Sequence, residues 1–186
     1  KHEKKYIGVD FVPWYVELGR EHVQQYSVSH ENYQFFCGNA ENIGDFIHPE
    51  HLGVERASTL LFFPFNSFGS ISSIEKVLTS IRESNLPFLI STYQTNDYAV
   101  TRCLDFYQHC GYQDIHLMKS NKGVNFLSSD GVNFMAYYPE YLNQICVAHA
   151  LEPIIQDFPP FNLMCASKIL LDEAADNSKV NVLQAP

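Results

Sequence analysis

The sequence lacks the features that most directly indicate a metal site, a redox motif or a membrane protein. Its five cysteines form no C-x-x-C pair, which excludes the common zinc and thiol-redox patterns. No apolar run is long enough to cross a bilayer, and we see no signal peptide. We therefore expect a soluble, cytoplasmic protein with no membrane contact, whose cysteines are buried thiols of a reducing compartment.

Basic residues are scarce as well. The chain has 12 Lys and Arg against 21 Asp and Glu, a formal net charge of −9. An acidic surface repels phosphate backbones, so we expect a small-molecule substrate and no nucleic acid. We expect no metal either, because His48 and His51 lie on opposite sides of an irregular turn and no third ligand accompanies them.

The stretch from Tyr6 to Arg20 organises the rest of the chain. A short apolar run ends on Asp10, and an amphipathic helix follows with Trp14, Leu18 and Val23 near one face. An acid at the carboxyl end of a strand is how open α/β sheets hold the ribose of a nucleotide-like ligand. The alternative is that Asp10 only caps the helix, and this stretch alone does not decide between the two.

Apolar segments alternate with helical patterns along most of the chain. We predict strands at 33–37, 57–63, 86–92, 152–158 and 162–170, and helices at 72–84, 97–110 and 141–150. This order predicts a parallel sheet with crossover helices.

The pattern changes between residues 94 and 140. Short strands are predicted at 113–118, 124–128 and 132–137, with a hairpin turn at Ser129-Asp130-Gly131. We expect one domain over 1–171, in which 94–140 is an inserted antiparallel lid that carries the substrate region, and a polar tail over 172–186.

Three segments, 8–20, 36–43 and 61–69, resemble the class I, Rossmann-like methyltransferases that depend on S-adenosylmethionine. The resemblance extends from residue 6 to about residue 171. It implies an α/β fold with a mostly parallel Rossmann-like methyltransferase sheet and an antiparallel terminal hairpin, to which the inserted lid is added. It also implies S-adenosyl-L-methionine as the cofactor.

The resemblance assigns cofactor contacts to the first two segments. Asp10 stands where the family's acid holds the ribose hydroxyls, and Phe11 stands where an apolar residue packs on the adenine. Asn39 replaces the acid that takes the adenine amino group, and its amide oxygen can still accept that hydrogen bond. The backbone amide of Ala40 stands where the family reaches an adenine ring nitrogen.

The third segment and the lid supply the other candidate residues. Phe65 and Asn66 stand at the fourth-strand end that floors the methyl-transfer pocket in the family. Methyl transfer is an in-line displacement, so an enzyme mainly aligns the nucleophile, and we assign no catalytic residue. The pocket-capable polar residues are Tyr93, Asn96, Arg102, Tyr107 and His109, and of these we assign substrate binding to Tyr93, Arg102, Tyr107 and His109. Taken singly, each has a plainer alternative, such as a surface ion pair for Arg102 and a core position for Tyr107.

The family's glycine-rich D-x-G-x-G turn is absent from these 186 residues. The first segment matches the family's second strand, so we expect either an upstream segment of a longer chain or a homodimer to fill the vacant position. The sequence predicts methyl transfer from S-adenosylmethionine to a small molecule. The alternative is a catalytically inactive, methyltransferase-like interaction module. A nucleotide-binding oxidoreductase is disfavoured by the same missing turn and by the terminal antiparallel hairpin.

Overall fold

The computed structural model describes residues 5–26, 32–46, 59–158 and 162–167. The first unit is a parallel crossover of β1 (Tyr6–Asp10), α1 (Pro13–Gln25) and β2 (Tyr33–Cys37). Pro13 stands in the first turn of α1, where the missing N–H costs no hydrogen bond. A short 3-10 helix, η1 (Ala40–Asp45), follows β2.

The second unit is a mixed four-stranded sheet. Its strand order is β3 (Leu61–Phe63), β4 (Phe88–Tyr93), β9 (Asn162–Ser167) and β8 (Pro153–Phe158). The strands β3 and β4 run parallel, and the hairpin of β8 and β9 is antiparallel, as predicted. A 3-10 helix, η2 (Ser67–Ser70), and then α2 (Ile74–Ser84) connect β3 to β4. The apolar face of α2 is buried in the main core: Ile74, Val77, Leu78 and Ile81.

The third unit is the predicted antiparallel insertion. The helix α3 (Asp97–His109) precedes β5 (His116–Lys119), β6 (Gly123–Leu127) and β7 (Asn133–Tyr137), and α4 (Pro139–Ala148) leads back to β8. A second core fills the space between α3 and this small sheet, with Cys103, Val124, Phe126 and Phe134 among its buried residues.

Glu41 connects the first unit to the second. Its Oε1 accepts a hydrogen bond from the Ser73 N–H at 2.9 Å, and its Oε2 lies 3.3 Å from the Lys76 ammonium. Ala40 and Ile43 also pack against the main core. The turn after β2 therefore attaches the first unit to α2.

The expectation of a mostly parallel sheet is not confirmed. Among the six strand pairs of the described residues, β1–β2 and β3–β4 are parallel and the other four are antiparallel. The parallel strands form two separate pairs because, within the described ranges, no strand pairs with the second edge of β1 or of β3.

The prediction that Trp14 lies on the apolar face of α1 was wrong, because the residue is 65% exposed. Val16 is the buried residue of this helix. Gly19 lies one turn further on, where a Cβ atom would come within 2.8 Å of the Phe35 ring. The helix thus packs on β2 through small and medium side chains, which leaves the indole outside.

The expectation of buried cysteines holds for Cys103, Cys146 and Cys165 but was wrong for Cys37 and Cys110, which are exposed. Cys37 ends a strand of a two-stranded sheet and Cys110 is the C-cap of α3, so neither position has a layer packed over it. All five are free thiols.

Several predicted features lie outside the described residues. These are the His48–His51 turn, residues 57–58 and 168–170 of two strands, and the tail over 172–186. The domain limits of 1–171 and 94–140 stay predictions. In the described ranges, no helix combines the length and the hydropathy of a bilayer span.

Candidate functional site

The carboxyl ends of β1 and β2 bring two of the predicted cofactor residues close to each other. Asp10 pairs with Cys37 at the end of the parallel ladder. The Gly38 N–H then donates a 2.9 Å hydrogen bond to the Asp10 carbonyl oxygen, which extends the ladder by one step. Asn39 is the next residue, so Asp10 and Asn39 leave neighbouring strands at the same edge of the sheet.

The Asp10 carboxylate has one oxygen engaged in local structure. Its Oδ1 accepts a hydrogen bond from the Val12 N–H at 2.8 Å. The N-cap of α1 is Val12, so Asp10 closes the turn before the helix and is not itself the cap. Among the described residues, Oδ2 has no hydrogen-bond partner. Phe11 follows with 73% of its surface exposed. This edge therefore presents an acceptor beside an apolar ring.

Asn39 is the N-cap of η1, and its Oδ1 accepts a hydrogen bond from the Glu41 N–H at 2.9 Å. The amide oxygen keeps a second lone pair for another donor. A Cβ atom at Gly38 would lie 2.1 Å from the Phe46 ring. Packing against Phe46 therefore explains this glycine without a ligand.

The turn after β3 has an uncommon backbone. Phe65 and Asn66 both adopt left-handed conformations, with φ of 50° and 64°. Side chains disfavour this region, and such residues gather at functional sites. The Phe65 ring is 87% exposed, whereas Asn66 is buried. The chain thus holds a large apolar side chain in solvent at the carboxyl end of β3.

Asn66 connects this turn to β4. Its N–H donates to the Ser91 carbonyl oxygen at 2.8 Å. Its Oδ1 accepts hydrogen bonds from the Thr92 hydroxyl and, at 3.3 Å, from the Tyr93 N–H. Thr92 is not among the site residues predicted from the sequence. The available signal was the asparagine itself, which after a strand and Pro64 favours a left-handed turn.

The predicted substrate residues fall into two pairs. Tyr93 and Tyr107 both pack against Phe134 of the second core, with ring centroids 5.7 Å and 4.8 Å from that of Phe134. Burial raises the pKa of both phenols above the ordinary value. It also raises the pKa of the neighbouring Cys103 thiol to about 12, so these groups stay neutral at physiological pH.

Arg102 and His109 lie on the exposed part of α3. The Arg102 Nη1 is 3.6 Å from Asp105 Oδ2, and the His109 Nδ1 lies 2.6 Å from the Asp105 carbonyl oxygen. The structure therefore brings Tyr93 and Tyr107 together, while Arg102 and His109 contact Asp105. The substrate role of all four stays a prediction.

The small sheet contacts the turn after β3. A Cβ atom at Gly69 would lie 2.2 Å from the Met135 carbonyl oxygen, so the two backbones are in direct contact. The Phe68 and Tyr137 ring centroids are 6.0 Å apart, and those of Tyr93 and Phe134 are 5.7 Å apart. The insertion therefore packs at the carboxyl ends of β3 and β4.

Two shallow clefts lie away from these strand ends. A cleft of about 330 Å³ lies between η1 and α2, and a cleft of about 420 Å³ lies between α1 and β2. Neither is lined by Asp10, Phe11, Phe65 or Asn66. The chemistry-bearing residues thus lie at the carboxyl ends of β1, β2 and β3, and we take these strand ends as the candidate site.

No protein-family model and no curated protein sequence matches this chain. Solved structures do match it. The protein PH0226 of Pyrococcus horikoshii OT3 has a TM-score of 0.59 at 12% identity, over 88% of this chain and 70% of that one. An O-methyltransferase family protein from Burkholderia thailandensis has a TM-score of 0.54 at 14% identity, over 88% of this chain and 43% of that one.

A third structure is the 1,6-didemethyltoxoflavin-N1-methyltransferase of Burkholderia thailandensis, with bound 1,6-didemethyltoxoflavin and S-adenosylhomocysteine. Its TM-score is 0.48 at 15% identity, over 87% of this chain and 60% of that one, and nothing below rests on it. The chain spans less than half of the O-methyltransferase family protein. The first two likenesses, with TM-scores above 0.5, show that the chain has a methyltransferase-like α/β fold.

Proposed function

We propose that this chain binds S-adenosylmethionine and belongs to an enzyme that transfers a methyl group to a small molecule. The arrangement of Asp10, Phe11 and Asn39 at the ends of two neighbouring parallel strands carries this proposal. Open α/β sheets bind nucleotide-like ligands at this edge. The similar fold of an O-methyltransferase family protein supports the same proposal.

The residues at this edge fit part of such a cofactor. The available Oδ2 of Asp10 is an acceptor for ribose hydroxyls, and the exposed Phe11 ring offers an apolar face to an adenine. Asn39 and the Ala40 amide supply an acceptor and a donor for the adenine edge. The fit is incomplete, because no D-x-G-x-G turn occurs in the sequence to receive the methionine portion.

When bound, the cofactor supplies a methyl group activated on a sulfonium. The chain's own contribution is then to position the methyl acceptor against the cofactor and to exclude water from the site. Phe65 and Asn66 lie at the carboxyl end of β3 as the floor of the pocket. The antiparallel insertion, which packs on the same turn, covers the acceptor. It provides Arg102, Tyr107 and His109, beside Tyr93 at the end of β4, for recognition of the acceptor.

The proposal is tested by calorimetric titration of S-adenosylmethionine and S-adenosylhomocysteine. The informative variant is Asp10→Asn, because an asparagine oxygen can still accept from the Val12 N–H and preserve the turn. We expect its affinity to fall about tenfold or more, since a hydrogen bond to a charged group is lost. Asp157→Asn, on the exposed end of β8, is the matched control and should bind as the wild type does.

The titration is run on this chain and on the longest natural protein that contains it. Binding by the longer protein alone, lost in Asp10→Asn, would show that additional residues complete the site. Equal affinities for Asp10→Asn and the wild type would contradict the assigned ribose contact.

A non-catalytic interaction module is the second candidate. It is favoured by the second edges of β1 and β3, which pair with no strand of the described residues, and by the exposed rings of Trp14 and Tyr15. Unpaired edges are templates for another chain. We propose that an upstream segment of a longer chain, or a second copy of this chain, pairs with the second edges of β1 and β3. Absence of cofactor binding by either protein would favour the module, and a monodisperse monomer of the isolated chain in light scattering would exclude the homodimer.

A further inference from the structure

The turn after β3 combines two features that folding alone does not favour. Phe65 adopts a left-handed conformation, which a bulky side chain disfavours, and its ring is held in solvent. Strain of this kind persists only where the surrounding structure enforces it. The side chains that enforce it are therefore the ones that determine where the Phe65 ring lies.

Thr92 is one of these side chains. It is fully buried near the end of β4, and its hydroxyl donates a hydrogen bond to Asn66 Oδ1. The same oxygen accepts from the Tyr93 N–H, and the Asn66 N–H donates to the Ser91 carbonyl oxygen. Three successive residues of β4 thus hold one asparagine.

The opposite side of Asn66 is held equally closely. Its carbonyl oxygen accepts a 2.9 Å hydrogen bond from the Gly69 N–H. A Cβ atom at Gly69 would come within 2.6 Å of the Asn66 amide and 2.2 Å of the Met135 carbonyl oxygen. Asn66 therefore has little space for a different rotamer while its bond to Thr92 is intact.

We propose that Thr92 is a positioning residue: its hydroxyl fixes Asn66, and Asn66 fixes the exposed Phe65 ring at the carboxyl edge, where the ring contacts the bound ligand. The ligand part of this inference rests on the proposed function. Thr92 touches no ligand itself. Its effect on binding passes through Phe65, and this distinguishes it from a residue that only stabilises the fold.

The test uses Thr92→Val, which keeps the shape and removes the hydroxyl, and Thr92→Ser, which restores the hydroxyl. Thr101→Val, on the exposed face of α3, is the matched control. In titrations of S-adenosylhomocysteine with the full-length protein, we expect Thr92→Val to weaken binding about three- to tenfold, the usual range for one lost hydrogen bond. Thr92→Ser and Thr101→Val should bind as the wild type does.

A double-mutant cycle shows the route of the effect. In a Phe65→Ala background, Thr92→Val should cause no further loss of affinity, because the ring that it positions is absent. The same fold-loss in both backgrounds would overturn the inference. Thermal unfolding of each variant confirms that the compared proteins are folded, and Thr92→Ala, which also lacks the hydroxyl, replaces Thr92→Val in the cycle if Thr92→Val does not fold.

Amide hydrogen exchange separates this inference from the proposed function. If the wild type binds neither S-adenosylmethionine nor S-adenosylhomocysteine, the proposed function fails. Hydrogen exchange in the ligand-free protein then tests whether Thr92 holds Asn66 in place. Faster exchange of the Asn66 and Tyr93 amides in Thr92→Val, reversed in Thr92→Ser, would support it, and unchanged exchange would overturn it.

Discussion

The N–H of Gly38 donates a hydrogen bond to the carbonyl oxygen of Asp10, one step beyond the last paired residues of β1 and β2. This backbone bond holds the two strand ends in register. Because it involves no side chain, substitutions at Asp10 can remove the carboxylate without separating the strands. Binding effects at Asp10 can therefore be measured on an intact edge.

Phe65→Gly should stabilise the protein. Glycine adopts a φ of 50° without the steric cost that a side chain meets, and the substitution removes an exposed ring. We expect the free energy of unfolding in urea to rise by about 1 kcal/mol. Phe65→Ala, which keeps the backbone strain, is the control and should not gain stability.

If the proposed function is right, Phe65→Gly should bind S-adenosylhomocysteine more weakly while it unfolds at higher urea. Stability and binding would then change in opposite directions, as expected where strain serves function. A loss of stability in Phe65→Gly would show that the ring packs against the protein in solution.

Gly69→Ala should destabilise the protein. The added methyl group would lie 2.2 Å from the Met135 carbonyl oxygen, a backbone atom that cannot move without shifting β7. Overpacking of this kind costs about 1–3 kcal/mol, to be measured by urea unfolding. Gly44→Ala is the matched control, because a Cβ atom there would meet nothing within 4 Å. Equal stabilities of the two variants would contradict the close contact between η2 and β7.

Stability should fall at alkaline pH, in part through Tyr137. Burial raises the pKa of this phenol, and the neighbouring Tyr141 and Glu75 raise it further. The folded state thus keeps its proton after the unfolded chain has lost it. The associated stability is complete below the ordinary pKa of about 10 and is lost as the pH rises above it, by about 1.4 kcal/mol per pH unit.

Tyr137→Phe should therefore show a smaller loss of unfolding free energy between pH 9 and 11 than the wild type does. Tyr93 and Tyr107 have raised pKa values too, so the variant should keep part of the slope. If the stability curves of the variant and the wild type run parallel over this pH range, Tyr137 does not stay protonated in the folded state while it ionises in the unfolded chain, and the prediction is wrong.

Local patterns were sufficient to predict most elements of the fold. The apolar spacing of α2, the strand at Tyr33–Cys37 and the hairpin turn at Ser129-Asp130-Gly131 each depend on a few adjacent residues. The sheet arrangement could not be predicted this way. It depends on which strands meet, and the parallel strands meet in two separate pairs.

The candidate site was predictable only in part. Asp10 is visible in the sequence as an acid at a strand end, and a resemblance suggested Asn39, Phe65 and Asn66. The bond between Thr92 and Asn66 joins residues 26 positions apart, and no local pattern marks it. Exposure could not be predicted either, because Trp14 and Val16 are both apolar residues of α1, and only the folded structure shows that Val16 is buried and Trp14 exposed.

Glu41 influences the position of the first unit relative to the second without being one of the candidate site residues. Asp10 and Phe11 belong to the first unit, and Phe65 and Asn66 belong to the second. The Glu41 carboxylate binds the N–H of Ser73, the N-cap of α2, and the Lys76 ammonium on α2, and so helps to set the distance between the first and second units. We expect a substitution at Glu41 to alter the spacing between these two pairs of candidate residues while the residues themselves stay unchanged. The spacing between the two units and the identity of the candidate residues can therefore be changed independently of each other.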